Sequence, residues 1–269
     1  MSEAVPVSAK PTASIRHVEM ERPWRWLAAG WQDLVAAPTT SLTFGVVFTV
    51  AGYLITFGLF AAGVPYLTLP MTAGFLLMGP FLATGFYEIS RQRQAGGRAS
   101  LREVFFAWQR NPSQIALIGV ALLLILIAWA RLAAMIFMLY YGIGNVPSID
   151  KLLVETFLEP SSIPFLIFGT AIGGVLAALT FAISAVSIPM LLDRRDANVI
   201  EAIATSFKAT TANVKAMALW GLLIVVFVGA GLVTLYLGLI VVLPLIGHAT
   251  WHAYKDLVII HDEPTSSTT

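Results

Sequence analysis

Charge is what this sequence has least of. Asp, Glu, Lys and Arg make up 12% of its 269 residues, against 58% hydrophobic side chains, whereas a soluble domain carries about 25% charged residues. Cysteine is absent, which excludes disulfides, thiolate metal sites and cysteine nucleophiles. The sequence has no Gly-Lys-Ser phosphate loop, no nucleophile elbow and no His-Glu-x-x-His. No apolar run holds the paired carboxylates that couple protons or sodium. These absences weigh against an enzyme and against a nucleic-acid partner, and no cofactor is expected. The polar, Pro/Ser/Ala-rich start shows no short apolar region followed by a cleavage site. The first apolar helix is therefore expected to drive insertion itself.

What is present is apolar length. Mean hydropathy is +0.81, and the charges are segregated between long uncharged runs. A hydrocarbon core about 30 Å thick requires about 20 apolar residues of a helix. Six runs meet that need, at about 42–62, 66–88, 114–140, 163–190, 215–235 and 238–258. The last two share one stretch too long for a single crossing. Gly238 and Pro244 predict a tight hairpin near Tyr236–Gly238. The expected fold is an all-α, polytopic membrane helix bundle over residues 21–262, with disordered tails at 1–20 and 263–269.

Placement of the basic residues gives the orientation. Of 16 Lys and Arg, Arg131 lies inside a span and Lys151 lies in a loop of the opposite set. The other 14 all precede the first span, fill the second and fourth loops, or follow the sixth span. Basic excess marks the cytoplasmic face, so both termini are expected there, with lipid bilayer around the spans.

Three cytoplasmic segments carry apolar residues at helical spacing. They are Trp24, Leu27, Trp31 and Leu34; Leu101, Val104, Phe105 and Trp108; and Val199, Ala202, Ile203 and Phe207. Ser100 with Glu103 and Asn198 with Glu201 read as capping pairs. Each segment is expected to be a short helix at headgroup level, with Trp24, Trp31, Trp108 and Trp251 as interfacial anchors. Trp31, Pro38 and Gly45 echo Trp108, Pro112 and Gly119, and Asn111-to-Gly119 matches Asn213-to-Gly221. Pro80, Tyr87, Glu88 and Arg91 echo Pro244, Trp251, His252 and Lys255. Three like-oriented units follow, each an interfacial helix and a transmembrane hairpin. On the outer face, Ser148 is expected to cap a helix carrying Leu152, Leu153 and Phe157.

Few residues can carry chemistry. Arg131 is the one formal charge well inside a span, at a cost of roughly 2.5–3.5 kcal/mol on insertion scales. It is expected to snorkel outward or to pair with Glu155 or Glu159. The functional alternative is a fixed cation facing a polar cavity lined by Thr170, Thr180, Ser184 and Ser187, as in a small transporter or channel. His248 and His252 share a helical face, a spacing that suits a metal or haem, with Glu88 or Asp193 as further ligands. The plainer reading places them in an anchoring belt with Trp251, Tyr254 and Lys255. Gly169, Gly173 and Ala177 form a small-residue face suited to close helix packing. Pro70, Pro80, Pro189 and Pro244 predict kinks.

Trp24–Leu34, Gly79-Pro80 through Tyr87, Arg91–Gly97, Ser187–Asp193 and the run from Leu243 to Tyr254 together resemble a known group. The chain is similar, from about residue 20 to 260, to the bacterial integral membrane proteins grouped as domain of unknown function 2189. The resemblance implies a six-span inner-membrane protein and supplies no activity. Members are sometimes likened to subunit I of cytochrome c oxidase, but four His are too few for the haems and copper of that subunit. A non-enzymatic accessory or assembly role beside a larger, respiratory membrane complex is the expectation that remains.

Overall fold

A computed structural model describes residues 12–142, 154 and 156–261. Strand β1 (Thr12–Ile15) precedes α1 (Arg22–Ala36), which leads through Ala37 into α2 (Pro38–Ala61). Helices α3 (Thr68–Leu77), α4 (Gly79–Leu82) and α5 (Thr84–Gln94) follow, parted by the single residues Met78 and Ala83. Next come α6 (Leu101–Phe105), a 3-10 turn (Ala107–Arg110) and α7 (Pro112–Tyr141). Then α8 (Ile163–Ser184), α9 (Ser187–Asp193), α10 (Val199–Ala212), α11 (Val214–Val233), α12 (Leu239–Leu257) and strand β2 (Val258–His261) complete the described elements.

Local chemistry sets these boundaries. Pro23, Pro38 and Pro112 stand in the first turns of α1, α2 and α7, where a missing N–H costs nothing. Ser100 and Glu103 form a complete capping box at α6. At α10 only half forms. Asn198 accepts from the Glu201 N–H at 2.8 Å, while the Glu201 carboxylate turns to Arg194 at 3.5 Å. The residues that join α1 to α2, the 3-10 turn to α7, and α10 to α11 share one backbone conformation. Ala37 has φ −132, ψ 54; Asn111 has φ −147, ψ 68; Asn213 has φ −125, ψ 42.

Helix α12 is the hub, packed against α1, α2, α5, α9 and α11. Two glycines let its neighbours approach. Gly30 of α1 lies so near that a Cβ there would meet the Ala249 N at 2.7 Å. Gly45 of α2 lies against Pro244 and the Ile240 carbonyl, the carbonyl to which Pro244 has no N–H to return. The strands close the assembly at one end, β1 pairing antiparallel with β2 from Thr12↔His261 to Ile15↔Val258. Both ends of the described chain therefore lie on the same side of the bundle.

Several expectations change. Among the described residues, four segments are long and apolar enough to cross a membrane: Pro38–Ala61, Pro112–Tyr141, Pro160–Asp193 and Val214–Val233. The expected second span is broken into α3, α4 and α5 around Pro80, and α12 is shortened as an apolar rod by its polar inner half. The hairpin near Tyr236 is present as residues 234–238, with positive φ at Leu235 and Tyr236. Residues 12–15, expected in a disordered tail, form β1 because a strand beyond α12 offers free backbone groups. The α1 stripe divides: Trp24 and Trp31 are 52% and 51% exposed, whereas Leu27 and Leu34 are buried together with Trp26. Trp251 is 1% exposed and packs edge-on against Tyr254, so it is core and not an interfacial anchor. Trp108 is 40% exposed. Ser148, Lys151, Leu152, Leu153 and the two tails 1–11 and 262–269 lie outside the described residues, and Phe157 is exposed.

Gly30→Ala should lower stability in detergent by about 1–3 kcal/mol, the usual cost of overpacking. Gly169→Ala, where a new Cβ meets nothing within 4 Å, should stay within about 1 kcal/mol of the parent. Thermal or SDS unfolding of the two variants side by side checks the contrast.

Candidate functional site

Where α1, α2, α5 and α12 meet, polar side chains converge inside the bundle. Helical spacing on α12 puts His248 and His252 on one face, as expected, but that face points inward. His248 is 0% exposed. Its Nε2 lies 2.9 Å from Ser41 Oγ and its Nδ1 2.9 Å from Ser90 Oγ. Ser41 and Ser90 are also 0% exposed. Ser90 donates to Asp33 Oδ2 at 2.5 Å. The same carboxylate oxygen meets His252 Nε2 at 2.8 Å, and Oδ1 accepts from Arg93 Nε at 2.9 Å.

Asp33 is thus the focus of the cluster, with three donors on two oxygens. Burial pushes its carboxyl up, but the hydrogen bonds from His252 and Ser90, with the fields of His252 and His248, outweigh it. The group stays below the usual carboxylate range. Its position was missed in the sequence reading because α1 was read by its aromatic spacing. One signal existed: Asp33 falls between Gly30 and Leu34 on the face that buries Trp26.

The expected metal set does not assemble. Glu88 turns away from the histidines and binds Arg91 at 2.6 Å, Gln92 at 2.8 Å and Arg110 at 3.7 Å. Asp193 takes Tyr254 Oη at 2.9 Å and Lys255 Nζ at 3.1 Å. Both nitrogens of His248 are already engaged by serine hydroxyls. Among the described residues no three His, Asp or Glu groups approach as metal ligands would. The anchoring-belt reading fails as well, since His248, Trp251 and Tyr254 are all enclosed.

Arg131 does not join Ser184 and Ser187. It lies on the exposed face of α7 with no ion pair among the described residues, Glu159 included; Glu155 lies outside them. Ser184 and Ser187 are wholly buried and donate to the carbonyls of Thr180 and Ile183, one turn back. Thr170 is exposed and Thr180 buried, so no polar cavity forms around the arginine. The small-residue face also divides. Gly173 packs on the Trp129 ring, which a Cβ would meet at 3.0 Å, whereas Gly169 meets nothing and Ala177 is exposed. Trp129 is fixed in turn by its indole N–H, which donates to the Pro70 carbonyl at 2.8 Å.

A mainly helical bundle with, among the described residues, four apolar segments of membrane-crossing length is consistent with a multi-pass integral membrane protein. Residues 67–193 match the family model described as "Predicted integral membrane protein (DUF2189)". No curated protein and no solved structure matches the chain significantly.

Asp33→Ala would leave Ser90, Arg93 and His252 without their shared acceptor. It should cost about 3–5 kcal/mol, as breaking buried ion pairs does. The pH dependence has a definite sign. A carboxyl held below its ordinary range stabilises the fold above about pH 4 and loses that contribution as pH falls through the lowered value. Unfolding followed between pH 6 and 3 should show acid destabilisation that is reduced in Asp33→Asn.

Proposed function

We propose that this protein is a six-span, non-enzymatic subunit of a larger membrane assembly, docked through the exposed face of α7. The carrying observation is Arg131 and its setting. Leu117, Val120, Leu124, Ile127, Met135 and Met138 are each between 49% and 61% exposed, and they recur every three or four residues on either side of the arginine. That is the spacing of a helix–helix seam, with one charge near its middle. Lipid alone is a poor neighbour for such a charge. A helix bringing an Asp or Glu side chain satisfies it, and a single polar position of this kind fixes register and partner.

Three observations support six spans in three units. The β1–β2 pairing requires an even number of crossings between Ile15 and Val258. Assigning α3–α5 and α12 as spans leaves the second and fourth loops, with their arginines, on the side of the paired strands. Contacts between units also repeat around a ring. Interfacial helix α1 packs on α12, α6 on α5, and α10 on α8 and α9. Ion pairs follow the same order: Asp33 to His252, Arg110 to Glu88, Glu201 to Arg194. Asp33, Arg110 and Glu201 each lead into a first span, and each partner ends the second span of the preceding unit. In this reading both termini face the cytoplasm and a bacterial inner membrane holds the bundle.

The chain's lack of cysteine makes the test direct. A cysteine-linked photocrosslinker at Ile127, within the α7 seam, should capture one partner bearing an intramembrane acid. One at Val225 on α11, 69% exposed, should capture lipid. Arg131→Ala should abolish the Ile127 adduct and Arg131→Lys retain it. An Ile127 pattern unchanged by Arg131→Ala would overturn the proposal.

A further inference from the structure

The hydrogen bonds around His248 admit one ordering of protons. Asp33, when ionised, can only accept, so Ser90 donates to it and must receive from the imidazole. Nδ1 therefore carries the proton of neutral His248, Nε2 is bare, and Ser41 donates to Nε2. Every bond in the run Ser41, His248, Ser90, Asp33 points the same way. His252, at the far end, shares Asp33 Oδ2 and has a side chain 20% exposed. At the inner end Ser41 occupies the face of α2 that carries Gly45 and, two turns further, Thr49. The Thr49 side chain is 3% exposed, and its buried hydroxyl has no hydrogen-bond partner.

Such a network is a costly way to hold helices together. Replacing buried polar groups by well-packed apolar ones is often neutral or stabilising. The apolar solution is used immediately beside this site, where Phe44, Phe86, Ile89 and Val104 form a closed cluster. Hydroxyls and an imidazole in file are both donors and acceptors, which is what a proton-carrying chain requires and what cohesion does not. The groups that face His248 are Asp33 of α1, Ser41 of α2, Ser90, Arg93 and the Phe86 backbone carbonyl of α5, and His252 of its own helix. They place an anion at the outlet and no carboxylate at the inner end.

We propose that Ser41, His248, Ser90 and Asp33 form a proton relay joining the seam between α2 and α12 to the aqueous surface at His252. In one passage, a hydronium in the seam gives a proton to Ser41 Oγ, and the proton Ser41 held passes to His248 Nε2. Nδ1 releases its proton to Ser90, and Ser90 releases its own to Asp33 Oδ2. Asp33 gains one proton, the hydronium becomes water, and the other groups keep their count. Asp33 then yields the proton to solvent beside the partly exposed His252. Rotation of the hydroxyls and a flip of the imidazole restore the starting order. The proton is the substrate class, and the relay is independent of the α7 seam.

The test reads the buried ring directly. The full-length protein, labelled with 15N-histidine and held in lipid nanodiscs, is transferred to D2O and His248 is followed by NMR. The expected result is a neutral ring protonated at Nδ1 that exchanges with solvent despite its complete burial. Ser90→Ala should slow that exchange by at least about tenfold, because only opening of the bundle would then expose the ring. Asp33→Asn keeps an acceptor for Ser90 but no longer takes up a proton readily, and it should slow exchange similarly without relying on the behaviour of the first variant. A proton found on Nε2 of the parent ring, or exchange as fast in both variants as in the parent, would overturn the relay.

Discussion

The polar inner half of α12 is the constraint on which the rest depends. A helix that carries His248, Thr250, His252, Lys255 and Asp256 cannot be left against hydrocarbon, because each unmet polar group there costs several kcal/mol. The chain solves this by wrapping. α1 crosses at Gly30, α2 at Gly45, and α5 packs Phe86 against Gly247. Each of these helices delivers a partner: Asp33 and Arg22 from α1, Ser41 from α2, Ser90 from α5. Asp256 holds the start of α1 through Arg22 at 2.6 Å and the Trp26 indole at 2.9 Å. The glycines and the hydrogen bonds are therefore one device, since only backbones this close bring such short side chains into reach.

A related device recurs at two other helix junctions, with different chemistry. Asn111 donates to the carbonyls of Arg194 and Ala197, and Asn213 accepts from Val18 N–H while donating to the Arg16 carbonyl. Each stands just before a long helix, in the backbone conformation that Ala37 also adopts. A short amide there satisfies backbone groups of the neighbouring segment that no regular helix or sheet reaches. Ala37 has no such side chain and packs instead against the cluster of Phe44, Phe86, Ile89 and Val104, while β1, β2 and the Asp256 clamp reinforce the junction that Asn213 makes.

Helix type and rough extent were legible in the sequence because apolar length and proline position act locally. The turn at 234–238, the Ser100 capping box and the packed role of Gly173 came from such signals. Burial was not legible. Hydropathy cannot distinguish a helix facing lipid from one facing other helices, since both environments are apolar. Trp251 looks like an interfacial anchor for that reason and lies in the core. The site failed in sequence for a second reason. Its members come from positions 33, 41, 90, 93, 248 and 252, and spacing along the chain says nothing about which helices touch. His248 and His252 were visible as a pair, but Asp33, which organises them, lies 219 residues away from His252 in sequence.

The two ends of the bundle treat charge in opposite ways, and the contrast bears on what kind of object this is. At the Arg-rich end, charges within the helical framework are matched inside the molecule: Glu88 by Arg91, Asp33 by Arg93, Asp256 by Arg22, Asp193 by Lys255. Deep in the apolar half, few of the α2 and α7 side chains are buried within the bundle, and Arg131 stands on the uncovered side. An isolated bundle optimised against lipid would have no use for that arginine, whose replacement by leucine removes an insertion cost and opens no cavity. A bundle completed by another helix would need it, because uniform apolar faces pack in many registers and a buried charge selects one. The described fold is thus closed at one end by its own side chains, and at the other α7 exposes an apolar stripe that carries one charge, Arg131.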